Sequence, residues 1–246
     1  MALCTPPQIR HALAREVLAE GRHVLLEKPP AVTVAEVDDL RRHAAANSLS
    51  LFATWHSRFA AAIEPARRWL VGRSLRAVNV KWREDVRHWH PGQEWIWEPG
   101  GLGVFDSGIN ALSIVTRLLP HPLAMHEAEL FTPTNRKMPI AARLRLSNDQ
   151  NLAVGLDFDW RQTGPQSWDI DIDTASGQLR LTGGGARLCI DGVEQQIADQ
   201  HEYTGIYRHF AALIGARASD ADAEPLRLVA AAFSQGRCTR VAAFES

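Results

Sequence analysis

His23-Val24-Leu25-Leu26-Glu27-Lys28-Pro29-Pro30 reads as a short buried strand brought to a stop by two prolines. Val24 to Leu26 is an apolar run of strand length, and proline cannot continue a ladder. Before it, Ile9, Leu13 and Val17 recur at spacing four, which predicts a helix from Pro7 to Glu20 with Gly21 as its C-cap. After it, Thr33 with Glu36 three residues on forms a capping box and predicts a helix to about Asn47. Ala2-Leu3-Cys4 and Leu49 to Trp55 read as further strands. Strand and helix alternate, so the first 55 residues predict parallel strands with crossover helices.

Beyond Trp55 the texture changes. His56 to Leu70 reads as helix, Leu75 to Val86 as a strand, and Arg87 to Gly103 as a loop rich in Trp, Pro and Gly. Phe105 to Leu119 is helical. From Met125 to about Ile197 the chain is mostly strand, with hairpin turns at Gly183-Gly184-Gly185 and Asp191-Gly192. Tyr203 to Ala216 and Leu226 to Gly236 are closing helices. The fold class expected is α/β: a parallel piece over 1–55, then an α+β domain over 56–246 with a large, mainly antiparallel open sheet.

Composition narrows the function. The chain has 246 residues, 46% of them hydrophobic, enough for a substantial core. Its 27 basic and 28 acidic residues leave a net charge of -1, so the usual electrostatic case for a nucleic-acid binder is missing. No apolar run approaches the ~20 residues of a membrane span. Met1 to Pro7 lacks the basic start of a secretory signal, so a cytoplasmic protein is expected. Cys4, Cys189 and Cys238 are far apart with no CxxC pair, and are expected as reduced, mostly buried thiols.

Three stretches could carry chemistry. Lys28 ends a parallel strand, where ligands sit in open α/β sheets, although a surface lysine before an ordinary turn fits equally well. The double proline after it admits a cis bond. Gly100-Gly101-Leu102-Gly103 runs into a helix carrying Asp106 and Asn110, four apart and so on one face. Such a pair can take a proton and hold a hydroxyl; the plainer reading makes Asp106 a helix cap. Finally, Trp55-His56, Trp82-Arg83-Glu84, His88-Trp89-His90 and Trp95-Ile96-Trp97 combine aromatic faces with polar edges, which suits sugar rings. Core packing explains Trp82 but not several Trp in a polar loop. His88-x-His90 could bind a metal, but no third ligand is evident and no metal is expected. Asp157, Asp159, Asp169, Asp171 and Asp173 alternate with apolar residues, as on the solvated face of a sheet. Neither GxGxxG nor GxxxxGK occurs.

His23 to Pro29 resembles the Glu-Lys-Pro strand of the Gfo/Idh/MocA oxidoreductases. Glu98 to Asn110, with Thr54-Trp55-His56-Ser57-Arg58 and Trp95 to Gly103, resembles the sugar 1-dehydrogenase branch that acts on D-galactose and L-arabinose. The resemblance spans nearly the whole chain. It implies a Rossmann-type parallel sheet, of which this chain holds the C-terminal part, about 60 residues short of a full domain, or roughly two ~30-residue βαβ units. It implies NAD or NADP as cofactor and oxidation of an aldose at its anomeric hydroxyl to a lactone, impaired here because no glycine turn receives pyrophosphate.

By the same resemblance, Asp106 would be the base, Asn110 would orient the hydroxyl, and Lys28 would polarise the reacting oxygen. His56, Glu84, Trp89, His90 and Trp168 would line the sugar pocket. Thr5, Pro6, Glu27 and Lys28 would form the cofactor wall. Ser107 stands where the branch is expected to have Pro, which loosens the loop after the base. A homodimer through the open sheet is the expected assembly. The competing expectation is a noncatalytic sugar-binding or oligomerising remnant.

Overall fold

The computed structural model describes residues 1–198 and 201–245. Its first sheet has three parallel strands in the order β1 (Ala2–Leu3), β2 (Val24–Leu26), β3 (Leu51–Ala53), with Leu3 opposite Leu26 and Leu26 opposite Ala53. α1 (Pro7–Ala19) and α2 (Val34–Ala46) are the crossovers, and the Thr33/Glu36 capping box is present. β2 is apolar throughout because both of its faces are covered. Leu26 joins the core that includes Leu18 and Leu40 of the crossover helices. Leu25 and Phe52 meet Ile206 of α6 (Glu202–Ala216), from the far end of the chain.

Nine strands make the second sheet: β4 (Leu75–Arg83), β5 (Ala124–Pro133), β6 (Ala141–Ser147), β7 (Ala153–Asp159), β8 (Ser167–Thr174), β9 (Gly177–Thr182), β10 (Arg187–Ile190), β11 (Val193–Glu194) and β12 (Arg237–Val241). Their spatial order is β11-β10-β9-β8-β4-β7-β6-β5-β12. β4 runs parallel to β7 and β12 parallel to β5; the other pairings are antiparallel. Val78, Val80 and Trp82 point inward while Asn79 and Lys81 face out, the alternation of a sheet covered on one side. α5 (Phe105–Leu118) and α7 (Glu224–Gln235) pack on the covered side together with α3 (Ile63–Leu70). The open side carries the expected aspartates: Asp157 pairs with Arg83, Asp169 and Asp171 with Arg180, and Asp159 with Arg161.

Several expectations need correction. His56 to Leu70 is not one helix: a 3-10 turn (His56–Phe59) precedes α3. Pro65 lies in the first turn of α3, where a missing N–H costs nothing; deep inside a longer helix it would clash with the preceding turn. The Trp-rich loop holds a short helix, α4 (Val86–Trp89), opened by the Asp85 carboxylate on the Arg87 N–H, and a 3-10 turn (Glu94–Trp97). Trp97 is core after all: it is buried and packs edge-on to Trp160 at 5.3 Å. Strand β12 had no period-two signal because its residues are mostly exposed. Cys4 and Cys238 are exposed rather than buried.

Candidate active site

Two glycines seat the start of the helix carrying the proposed base against the tryptophan-rich loop and the Met138-Pro139 segment. A Cβ on Gly101 would lie 2.1 Å from the Trp95 carbonyl, and one on Gly103 (φ +55°) would lie 2.4 Å from that of Pro139. Only glycine permits such approach. α5 starts immediately after. Its N-cap position is Val104, so Asp106 is not the cap. Asp106 is 4% exposed, in a first turn whose dipole favours a negative side chain.

Lys28 meets it there. The Lys28-Pro29 bond is cis. The Lys28 ammonium donates to the Asp106 carbonyl at 2.7 Å and to Asp106 Oδ2 at 3.3 Å. Arg10 holds the backbone underneath. Its guanidinium is buried and donates to the carbonyls of Thr5, Glu27 and Pro29. Burial pulls the Arg10 pKa below its usual value.

Two cavities open on either side of this contact. The first, about 220 Å³, is lined by Lys28, His56, Glu84, Trp89, His90, Asn110 and Trp168, the full expected sugar set plus two of the three residues expected to be catalytic. The second, about 480 Å³, is lined by Thr5, Pro6, Glu27 and Lys28, the expected cofactor wall, together with Asp106. Lys28, Trp89 and His90 border both.

The walls of the first cavity are aromatic. Trp168 stacks on Trp82 (centroids 5.9 Å, 22° between planes) and meets Trp89 at 4.8 Å. Glu84, 2% exposed, lies behind them. It accepts from Trp160 Nε1 at 3.1 Å and from Trp168 Nε1 at 2.7 Å, and His90 Nε2 is 3.2 Å away. His56 Nδ1 is 2.9 Å from Glu202 Oε2 across the cavity mouth.

Trp82, named in the aromatic cluster but read as core and left out of the expected sugar set, is both: it is buried and it lines the cavity. Sequence reading missed Glu202 and Tyr203, which no local signal connects to the site. The Tyr203 hydroxyl donates to Glu27 Oε1 at 2.9 Å. Burial, with the Glu27 carboxylate beside it, raises the Tyr203 pKa well above that of free tyrosine, so the phenol remains a donor. Ser107 does not loosen a loop. It lies inside α5, buried, and accepts the Trp160 indole N–H at 2.8 Å. Among the described residues, no group of three or more His, Cys, Asp or Glu is placed to hold a metal, and His88 packs on Trp89 instead.

A lysine on a buried aspartate, between a tryptophan-walled cavity and the carboxyl ends of parallel strands, has clear relatives. Residues 1–54 match the oxidoreductase family with NAD-binding Rossmann fold, GFO_IDH_MocA. The whole chain is 50% identical to galactose 1-dehydrogenase from Pseudomonas fluorescens, over 99% of this chain and 79% of that protein. This chain belongs to the Gfo/Idh/MocA oxidoreductase family. Within the family, the crystal structure of D-galactose-1-dehydrogenase from Rhizobium etli superposes with a TM-score of 0.96 at 52% identity, covering 99% of this chain and 78% of that one. An inositol dehydrogenase homolog from Azotobacter vinelandii, crystallised with NAD+, shares the fold with a TM-score of 0.79 at 18% identity, covering 96% of this chain and 76% of its own. As a family member the chain is an oxidoreductase with a Rossmann-like parallel sheet and a large mixed sheet.

Proposed function

We propose that this chain oxidises the anomeric hydroxyl of an aldose such as D-galactose or L-arabinose to the lactone, with NAD or NADP as oxidant. The observation that carries the reading is the Lys28–Asp106 contact, 3.3 Å from Nζ to Oδ2, at the junction of the two cavities. Asp106 offers a carboxylate oxygen to the hydroxyl proton. Lys28 presents a positive charge to the oxygen that loses it. Asn110, one turn on and lining the sugar cavity, orients the same hydroxyl. Trp82, Trp89 and Trp168 give the ring's C–H face an apolar wall, and His56, Glu84 and His90 supply polar edges for its hydroxyls.

The second cavity suits the cofactor. Thr5 lines it, and the buried Thr5 hydroxyl has no hydrogen-bond partner, as expected of a group that awaits a ligand. Thr5, Pro6, Glu27 and Lys28 would hold it. When bound, a nicotinamide supplies the acceptor for the hydride from the anomeric carbon. The hold is weak in this chain. The turn from β1 into α1 is Cys4-Thr5-Pro6-Pro7, and its prolines remove two N–H donors from the helix end that could face a phosphate. Calorimetric titration with NAD and NADP tests this part; micromolar affinity contradicts it. The boundary between cofactor and substrate parts is placed at residues 55/56, with α6 crossing back to cover the parallel sheet. The open face of the nine-stranded sheet is the proposed homodimer surface.

Incubation with D-galactose and millimolar NAD or NADP, with the sugar product identified, tests the function. Lactone is expected; reduced cofactor without lactone, or neither, contradicts the reading.

A further inference from the structure

Asp106 and Glu84 are buried carboxylates on opposite sides of one imidazole. His90 Nε2 is 3.2 Å from Glu84 Oε1, and His90 Nδ1 is 3.8 Å from Asp106 Oδ2. The tautomer follows from the far side. Glu84 Oε1 accepts the Trp160 indole N–H and Oε2 accepts that of Trp168. An indole N–H can only donate. As a carboxylate, Glu84 can only accept, and donors surround it: the Trp168 N–H and a Trp160 N–H shared with Ser107. This assigns the hydrogen shared with His90 to Nε2. His90 Nδ1 is left as a lone pair facing Asp106.

We propose that His90 is the second proton acceptor of the reaction: it takes from Asp106 the proton that Asp106 received from the sugar, and Glu84 is the positioning residue that fixes its tautomer. The proposal rests on Asp106 being the base. In the first step the hydroxyl O–H breaks and an Asp106 O–H forms, the anomeric C–H breaks as the C=O forms, and the hydride with its two electrons goes to the bound NAD or NADP. In the second, the Asp106 O–H breaks and a His90 Nδ1–H forms, which returns Asp106 to its carboxylate. The imidazolium lies against the Glu84 carboxylate and gives its proton to water through the cavity.

The charged neighbours allow this. Lys28, at the end of β2, already donates to Asp106 and cannot accept from it. Glu84 follows β4, Asp106 is on α5, and at the start of α4, whose C-cap position is His90, Asp85 and Arg87 pair with each other. The 3.8 Å gap closes to hydrogen-bond length with a shift of about 1 Å once Asp106 carries the sugar's proton and can donate it.

The test uses the 246-residue protein labelled with 15N-histidine, with His90→Asn identifying the His90 resonances. The Nε2–H tautomer is expected. D-galactose alone should perturb the His90 resonances but leave the hydrogen on Nε2, because Asp106 carries no proton before turnover. Glu84→Gln should mix the two tautomers; if that variant does not fold, the wild-type spectrum still decides. An Nδ1–H tautomer in the wild type overturns the proposal. If D-galactose changes neither the spectrum nor the tryptophan fluorescence, the sugar reading fails, while the tautomer still decides whether His90 can accept from Asp106. In turnover, His90→Ala should lose about a hundredfold and regain activity with added imidazole; loss that imidazole leaves untouched overturns the relay.

Discussion

Lys28 Nζ donates to both the backbone carbonyl and the carboxylate of Asp106, joining the end of strand β2 to the first turn of α5 across 78 positions of sequence. The contact fixes the proposed base and its cation in one geometry. Asp106→Ala should therefore lower turnover by roughly 10²–10⁴-fold while circular dichroism stays that of the wild type. Near-normal turnover would remove Asp106 from the mechanism. Lys28→Met should give a comparable loss, because it removes the charge and keeps the length of the stem.

Arg10 should matter for stability out of proportion to its lack of contact with substrate. It satisfies the carbonyls of Thr5, Glu27 and Pro29 in a buried setting. Arg10→Leu strands these acceptors, each at about 1–3 kcal/mol. Denaturant melts should show a loss of about 3 kcal/mol or more. Arg10→Lys should recover only part, since an ammonium cannot span three carbonyls as a planar guanidinium does. A loss below about 1 kcal/mol for Arg10→Leu would contradict the assignment.

Trp168 has two functions that one substitution separates. Its ring borders the cavity, and its N–H satisfies Glu84 Oε2 at 2.7 Å. Trp168→Phe retains an aromatic wall but deprives a buried carboxylate of a donor. Stability should fall by about 1–3 kcal/mol. Binding of D-galactose, followed by the fluorescence of the remaining tryptophans, should weaken less than in Trp168→Ala. Equal weakening in the two variants would mean that the ring contributes no wall.

Two helical glycines should respond in opposite directions to alanine. A Cβ on Gly108 would lie 2.8 Å from Phe158 in the close-packed seam between α5 and the large sheet. Gly108→Ala should cost about 1–3 kcal/mol by overpacking. Gly215, in α6, has nothing within 4 Å of an added Cβ. Gly215→Ala should stabilise by up to about 1 kcal/mol through helix propensity alone. Thermal melts of the two variants check both signs together.

Much of the site was legible because its chemistry is carried by local patterns. Lys28 could be placed at a strand end from the apolar run and the prolines that follow it. Asp106 and Asn110 could be placed on one helix face from their spacing and the glycines before them. The pairing of His56 with Glu202 could not be read, since it spans 146 positions and depends on how α6 folds back over the parallel sheet. Trp97 left its expected loop setting for the core, and Trp82, core as expected, also borders the cavity, for a related reason. Alternation shows which face of a strand is covered, not whether the cover is core or cavity. Arg10 gave no sign either, because an arginine in an amphipathic helix ordinarily reads as surface.

The central claim concerns one hydroxyl group, so the most direct measurement compares two sugars that differ only there. D-galactose and 1-deoxy-D-galactose should both quench the tryptophan fluorescence of the protein, because the aromatic wall and the polar edges of the cavity are available to each. With millimolar NAD or NADP, D-galactose should yield reduced cofactor and the lactone, and the 1-deoxy sugar should yield neither. Cofactor reduction by the 1-deoxy sugar, or binding of D-galactose without any lactone, would contradict oxidation at the anomeric position by Asp106 and Lys28.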